Sequence, residues 1–314
     1  MKKPLIILTG PTAVGKSKLS ISLAKAVGGQ IISADSMQVY EKMDIGTAKI
    51  TPKEMDGVKH HLIDIMSPKE EFNVALFQKF AYQAMETIYA EGDIPIIVGG
   101  TGFYIQAVLY DISFNEGEEE RPVRHRLEEE AKQLGKEALW KRLLEVDEAS
   151  ANAIHPNNIK RVIRALEFYE LTGEKFSLHN ENERQKESPY AFKYFVLSDE
   201  RSKLYQRIEQ RVDLMVEQGL VEEVRKLKEM GCTKDMVSMQ GLGYKEILAY
   251  LDGDCSLEDA IYKIKLETRH FAKRQLTWFR REKTVEWIDK SQYDSEEDIL
   301  KDMMQQLRKE GIVS

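Results

Sequence analysis

The segment Gly10-Pro11-Thr12-Ala13-Val14-Gly15-Lys16-Ser17 constrains this chain more than any other stretch. It satisfies G-x-x-x-x-G-K-[ST], follows the apolar run Leu5 to Thr9 and precedes a helical pattern at Lys16 to Ala26. Glycines let backbone N–H groups curl around an anion, and a helix N-terminus adds partial positive charge. Lys16 can set an ammonium on phosphate oxygens, and Ser17 can hold Mg²⁺ through its hydroxyl. A fortuitous glycine-rich turn is the alternative, but it leaves the flanking strand and helix without a reason. The loop is therefore expected to cradle a di- or triphosphate.

Three further apolar runs, Gln30 to Ala34, Ile94 to Val98 and Tyr194 to Leu197, are too short and continuous for amphipathic helices and read as buried strands. Two of them end in polar turns, Asp35-Ser36 and Gly99-Gly100-Thr101-Gly102, and a helical pattern at Phe72 to Tyr89 lies between. Strand, turn, helix, strand is the grammar of a parallel sheet covered by helices. Ligands bind at the carboxyl ends of such strands, so the polar turns are expected to meet on one rim. From about Ser113 to Lys186 the chain is polar and helical, opening on the acidic stretch Glu116 to Glu120, which reads as a solvated loop. Within it, Asn157 to Leu171 sets Ile159, Val162, Ile163, Leu166 and Tyr169 on one face and Lys160, Arg161 and Arg164 on the other. After Asp199 the pattern is helical almost to the end. The expected architecture is α/β: a P-loop NTPase-like parallel sheet flanked by helices over 1–112 and 187–290, a helical insertion at 113–186, and a C-terminal helix at 291–314.

Composition narrows the class. With 314 residues, 42% hydrophobic and 32% charged, the chain can bury a sizeable core, which excludes wholesale disorder. No apolar run approaches the roughly 20 residues that cross a bilayer, so no membrane partner is expected. Two cysteines, Cys232 and Cys255, cannot make a disulfide framework, which points to a reducing cytosol. Net charge is -7, yet Arg269 to Lys283 holds six Lys or Arg and a single acid, Glu282. On a helix, Arg269, Lys273, Arg274, Arg280 and Arg281 share a broad arc with His270, opposite Phe271, Ala272, Trp278 and Phe279. Together with Lys160, Arg161 and Arg164 this suits a polyanion larger than a nucleotide. A solvated helix face is the alternative, and charge alone leaves both open.

The catalytic carboxylate is less obvious. The strand Ile94 to Val98 ends in glycines and Thr101 with no acid, which leaves Asp35 and Asp199. An aspartate closing the strand after the P-loop helix suits removal of a proton from an acceptor held beside the phosphate; a helix cap or a ligand of Mg²⁺-bound water is the alternative. Asp199, before Glu200 and a long helix, reads as a cap. His60-His61 lacks the spacing of a metal site. Arg211, four residues after Arg207, is a phosphate clamp or a surface ion pair, and the sequence leaves both open.

Several motifs occur in order: Gly10 to Ser17, Asp35-Ser36-Met37-Gln38-Val39-Tyr40, Met43-Asp44-Ile45-Gly46-Thr47-Ala48-Lys49, Gly99 to Tyr104, Ile154-His155-Pro156-Asn157-Asn158, Gly241-Leu242-Gly243-Tyr244-Lys245, and Thr268 to Arg280. The set resembles the tRNA dimethylallyltransferases (tRNA isopentenyltransferases) from the P-loop to about Trp287. The resemblance implies transfer of a dimethylallyl group from its diphosphate to the exocyclic N6 amine of the adenosine 3′-adjacent to the tRNA anticodon. It implies Mg²⁺ held by Ser17, Asp35 as general base, and Thr101 and Arg211 at the reacting diphosphate. Residues Gly10, Pro11, Thr12, Ala13, Val14, Gly15, Lys16 and Ser17 would cradle the diphosphate. Asp35, Ser36, Met37, Gln38, Arg124, Ile159, Lys160, Arg161, Val162, Ile163, Gln240, Gly241, Leu242, Gly243, Tyr244 and Lys245 would face the anticodon stem-loop, joined by Lys273 and Arg274 of the basic arc. Members often carry an arginine where this chain has Gln240. A cytoplasmic monomer acting on tRNA and dimethylallyl diphosphate is the expectation. A small-molecule kinase with ATP in the loop and a non-catalytic RNA-binding protein are the competing classes.

Overall fold

The computed structural model describes residues 2–114 and 120–313. Most of the acidic stretch Glu116 to Glu120 lies outside the described residues. The chain divides into two units, one running up to Leu109 and again from Pro189, the other Tyr110–Ser188.

The first unit begins with β1 (Lys3–Thr9), α1 (Lys16–Val27), β2 (Gly29–Ala34), the single turn α2 (Pro52–Met55), β3 (His60–His61), α3 (Val74–Ala90), β4 (Ile94–Gly99) and α4 (Gly102–Leu109). The second unit is helical: α5 (Glu120–Leu134), α6 (Lys136–Val146), α7 (Glu148–Ala153), α8 (Ile159–Thr172) and α9 (Phe176–Gln185). The first unit resumes with β5 (Tyr190–Ser198), α10 (Arg201–Glu217), α11 (Leu220–Glu229), α12 (Tyr244–Leu251), α13 (Leu257–Phe279), β6 (Glu286–Asp289) and α14 (Glu296–Lys309). All strand pairings are parallel, in the order β3-β2-β4-β1-β5-β6.

Strand β1 lies inside the sheet, and Leu5, Ile6, Ile7 and Leu8 are wholly buried. Each such side chain contributes roughly 1.5–3 kcal/mol relative to exposure, which is why an unbroken apolar run and not an alternating one marks a two-sided parallel sheet. The four expected strands are present with slightly wider bounds. Two others escaped the pattern. Strand β3 has only two residues, and β6 is a four-residue stretch at the sheet edge with a half-polar face. The chain beyond Asp199 is thus not wholly helical.

Register explains the rim. Thr9 pairs with Gly99, and Gly99 pairs with Ala34, so β1, β4 and β2 end on one row. The Thr9 hydroxyl donates to the Gly99 carbonyl at 2.6 Å, which ties two of these ends together. The turns opening at Gly10, Asp35 and Gly100 therefore leave the sheet side by side. Gly10 has φ of 145°, and a Cβ there would lie 2.5 Å from the Leu197 carbonyl oxygen, so β5 leaves room only for glycine. Asp199 is not a helix cap, contrary to expectation. Its carboxylate accepts the adjacent Glu200 N–H and pairs with Arg207, one face along α10.

In the second unit, Leu127, Leu139, Leu143, Ala151, Ile154, Val162, Ile163, Ala165 and Leu166 form a separate core. Asp147 is buried and accepts N–H and O–H donations from both Ser150 and Ser177, which pins α7 to α9.

Candidate active site

Gly15, with φ of 95°, opens α1, and the Lys16 ammonium turns back to donate to the Gly10 and Pro11 carbonyls at 2.9 Å each. Two residues from the far end of the chain support this loop. Gln275 of α13 accepts the Thr12 N–H at 2.9 Å and donates to the Gly100 carbonyl at 2.9 Å. Lys290, just after β6, donates to the Val14 carbonyl at 3.2 Å, and a Cβ on Gly15 would come within 2.9 Å of its ammonium. Across the rim, the Thr101 N–H donates to the Ala34 carbonyl at 3.3 Å, which seats Thr101 beside the end of β2 and next to Asp35.

The Asp35 carboxylate accepts the Met37 N–H at 2.9 Å, the geometry of an Asx turn. Burial pushes its carboxyl above the usual range, against the lowering effect of the Met37 and Gln38 N–H groups and of the Lys16 and Arg211 cations. Burial, then the Arg211 charge, brings Lys16 down to about 7, with Asp35 opposing. Arg211 itself is lowered by burial and by Arg207, again with Asp35 opposing. Arg211 is half-buried, and its charge reaches both Lys16 and Asp35. Two desolvated cations share this pocket with one carboxylate, an arrangement short of negative charge.

The segments expected to face tRNA converge in part. A Cβ on Gly241 would lie 2.6 Å from the Met37 methyl, so the stretch Asp35 to Gln38 abuts Gln240 to Lys245. Gln38 donates to the Thr47 and Ala48 carbonyls at 3.3 and 3.4 Å and accepts from the Ser33 hydroxyl at 3.2 Å. Glu223 of α11 welds these pieces. Its carboxylate accepts the N–H groups of Asp44, Ile45 and Gly46 at 2.8–3.0 Å and the Tyr244 hydroxyl at 2.7 Å. Gly46 packs on the Tyr244 ring, where a Cβ would fall 2.5 Å from a ring carbon. Tyr244 and Gly243 are buried, so they act as a post beneath this surface and not as contacts upon it. Gln240 is exposed, its amide bonded to the Lys234 carbonyl; Ser36 and Leu242 are half-buried, and Lys245 lies 3.5 Å from Glu246.

His270, Lys273, Arg274, Thr277 and Trp278 of α13, with Arg281 just beyond its end, line a cleft of about 430 Å³. Two assignments on this helix change, Arg269 from the basic arc and Trp278 from the opposite one. Arg269 pairs with Glu209 of α10, and Trp278 borders the cleft, its indole lying where a Cβ on Gly102 would come within 2.2 Å. In the second unit Lys160 and Arg161 are exposed and Ile159 is half-buried, but Val162 and Ile163 belong to the core and cannot reach a ligand. Arg124 grips the buried Glu167 through Nε and Nη2, both at 2.9 Å, with Arg164 on the same carboxylate, while the Arg124 side chain itself stays exposed.

Glu223, Gln275 and Lys290 were not singled out by sequence. Glu223 sits in a charged helical stretch that reads as solvated, and Gln275 is one neutral amide inside a basic run. Among the described residues no cluster of three or more His, Cys, Asp or Glu could hold a metal ion. His60 and His61 bond to the Val58 carbonyl and the Gln30 amide oxygen, as structural residues do. No helix of the described residues is long and apolar enough to cross a membrane.

Residues 38–282 match the family model described as IPP transferase. The chain is 58% identical over 311 residues to the tRNA dimethylallyltransferase of Lachnoclostridium phytofermentans, covering 99% of each protein. It is 48% identical over 308 residues to that of Acetivibrio thermocellus, covering 98% of each. The crystal structure of the full-length tRNA isopentenylpyrophosphate transferase from Bacillus halodurans is similar with a TM-score of 0.73 and 46% identity, covering 99% of this chain and 98% of that one. A eukaryotic dimethylallyltransferase acting on tRNA is similar with a TM-score of 0.80 and 29% identity, covering 97% and 79%.

Proposed function

This chain belongs to the IPP transferase family, and from that membership we propose that it transfers a dimethylallyl group from dimethylallyl diphosphate to the N6 amine of the adenosine 3′-adjacent to the tRNA anticodon. The observation that carries the proposal is the meeting of Lys16, Arg211 and Asp35 at the phosphate loop, where the Asp35 carboxylate and each of the two cations alter one another's ionisation.

In the proposed reaction the adenine N6 attacks the allylic carbon, the N–C bond forms as the C–O bond breaks, and diphosphate departs with the electron pair. The amine is a poor nucleophile because its lone pair is delocalised into the ring. Asp35 accepts its proton as attack proceeds, a contribution on the order of 10²–10⁴ in rate. Burial makes that carboxylate a stronger base than one in water. The allylic carbon tolerates developing positive charge, so the larger task is holding the departing anion. Loop N–H groups and Arg211 meet it, and Lys16 turns to it from the Gly10 and Pro11 carbonyls. Thr101, seated against Ala34, borders the same pocket. Extruding the base costs roughly a few kcal/mol of unstacking, offset by phosphate contacts from Lys273 and Arg274 and, on the helical unit, from Lys160 and Arg161.

The donor present suits Mg²⁺. Ser17 offers an exposed hydroxyl at the head of α1, a hard oxygen suited to an ion that keeps waters and substrate phosphate oxygens. Ser17 would hold it, and the ion would supply further positive charge to the diphosphate. We assign the helical unit to tRNA binding, and a monomer in the cytoplasm as the working form.

The test is to incubate the protein with unmodified tRNA and dimethylallyl diphosphate and to weigh the nucleosides. The expected result is an adenosine heavier by one dimethylallyl group, abolished by Asp35→Ala while tRNA binding survives. Turnover of ATP on a small acceptor, with the allylic diphosphate ignored, would overturn the proposal.

A further inference from the structure

The phosphate loop faces the Thr101 turn across the rim, and one side chain spans the two. We propose that Gln275 is a positioning residue that sets the gap between the loop and that turn, and thereby governs affinity for the diphosphate. The inference rests on the reading of Gly10 to Ser17 as a diphosphate cradle.

Gln275 is 6% exposed and makes one hydrogen bond to each wall, accepting the Thr12 N–H and donating to the Gly100 carbonyl. The orientation of its amide is fixed by these partners, since an N–H can only donate and a carbonyl can only accept. A primary amide supplies both functions from one planar group. A carboxylate would have no donor for Gly100, and an aliphatic chain would leave two part-buried backbone groups without these partners. The fit extends to the opposite wall: a Cβ at Gly100 would lie 2.1 Å from the Gln275 amide nitrogen, so the missing side chain of Gly100 is the space Gln275 fills. The Thr12 N–H, one of the loop amides, is thus an anchor for the cradle and not an anion donor. Gln275 follows the exposed Lys273 and Arg274 on α13, so the helix that carries the basic cleft also braces the cradle.

The test compares Gln275→Met, Gly100→Ala, Gln275→Ala and the Gly100→Ala/Gln275→Ala pair with the wild-type enzyme. It measures KM for dimethylallyl diphosphate, KM for tRNA, inhibition by inorganic pyrophosphate and the thermal midpoint. Gln275→Met is expected to raise the diphosphate KM and the pyrophosphate inhibition constant about tenfold, with KM for tRNA moved less than about threefold. Gly100→Ala should do the same. Added to Gln275→Ala it should cost little more, because both changes break one contact. Should Gln275→Met fail to fold, Gln275→Glu keeps the acceptor for Thr12 and loses the donor to Gly100, and a selective rise in diphosphate KM is again expected. Equal changes in both KM values, a lowered midpoint with diphosphate affinity intact, or fully multiplicative effects in the pair would overturn the inference. If the wild-type enzyme itself transfers no dimethylallyl group, the reading of the function fails; if it does and these variants keep their diphosphate KM, this inference alone fails.

Discussion

Lys16 gives the most exacting prediction, because burial and the neighbouring Arg211 charge bring its titration close to neutral pH. Burial and the Arg211 charge bring its ammonium from 10.5 down to about 7 in the ligand-free loop. At pH 8 such a group is protonated in roughly one molecule in ten, and at pH 6 in roughly nine in ten. A diphosphate against it restores the proton, so binding should draw in roughly 0.9 of a proton at pH 8 and roughly 0.1 at pH 6. Affinity should then fall about tenfold per pH unit above 7. The assay is titration calorimetry of dimethylallyl diphosphate into tRNA-free enzyme at pH 8, in two buffers of different ionisation enthalpy. At that pH the terminal phosphate, with a second pKa of about 6, contributes little. Asp35 is also raised by burial, so an anion beside it could draw a proton too. The uptake must therefore persist in Asp35→Asn and vanish in Lys16→Met. Heats that do not depend on the buffer, or an uptake lost only with Asp35→Asn, would refute the reasoning. The same shift appears in stability. Between pH 7 and 10 the unfolded chain binds more protons at this site than the folded one, so the ligand-free protein should gain stability as pH rises through that window, and saturating diphosphate should flatten the gain.

Asp35→Asn keeps the shape of the Met37 turn and removes the base, so single-turnover prenyl transfer should drop by about 10²–10⁴ with tRNA affinity retained in filter binding. Glu223→Ala frees three backbone N–H groups and the Tyr244 hydroxyl; KM for tRNA should rise and the protein should lose roughly 2–3 kcal/mol in urea denaturation, while diphosphate binding by the same calorimetry stays within about twofold. Lys160→Ala and Arg161→Ala should each flatten the log–log dependence of tRNA affinity on salt by about 0.7–0.9, with kcat at saturating tRNA unchanged.

The parts of this molecule legible in its sequence are those whose physics is local. A phosphate loop declares itself because the turn, the glycines and the helix start must be contiguous, and the strands declare themselves because Leu5 to Leu8 must be apolar on both faces of the sheet. The parts that stayed hidden act at a distance in sequence. Arg124 has the charge of a surface contact, and nothing near it in sequence tells that it also pairs with Glu167, a carboxylate buried forty-three positions on. Gln275 and Gly100 make the case most sharply. Each alone is unremarkable, a polar residue in a basic helix and one glycine among several; their meaning lies in a 2.1 Å exclusion across 175 residues of chain. It follows that Lys16, Asp35 and Thr101 were readable as candidates because short turns at strand ends present them, whereas Arg211, inside α10, and the residues that hold those turns at the right separation come from elements whose placement only the assembled sheet determines.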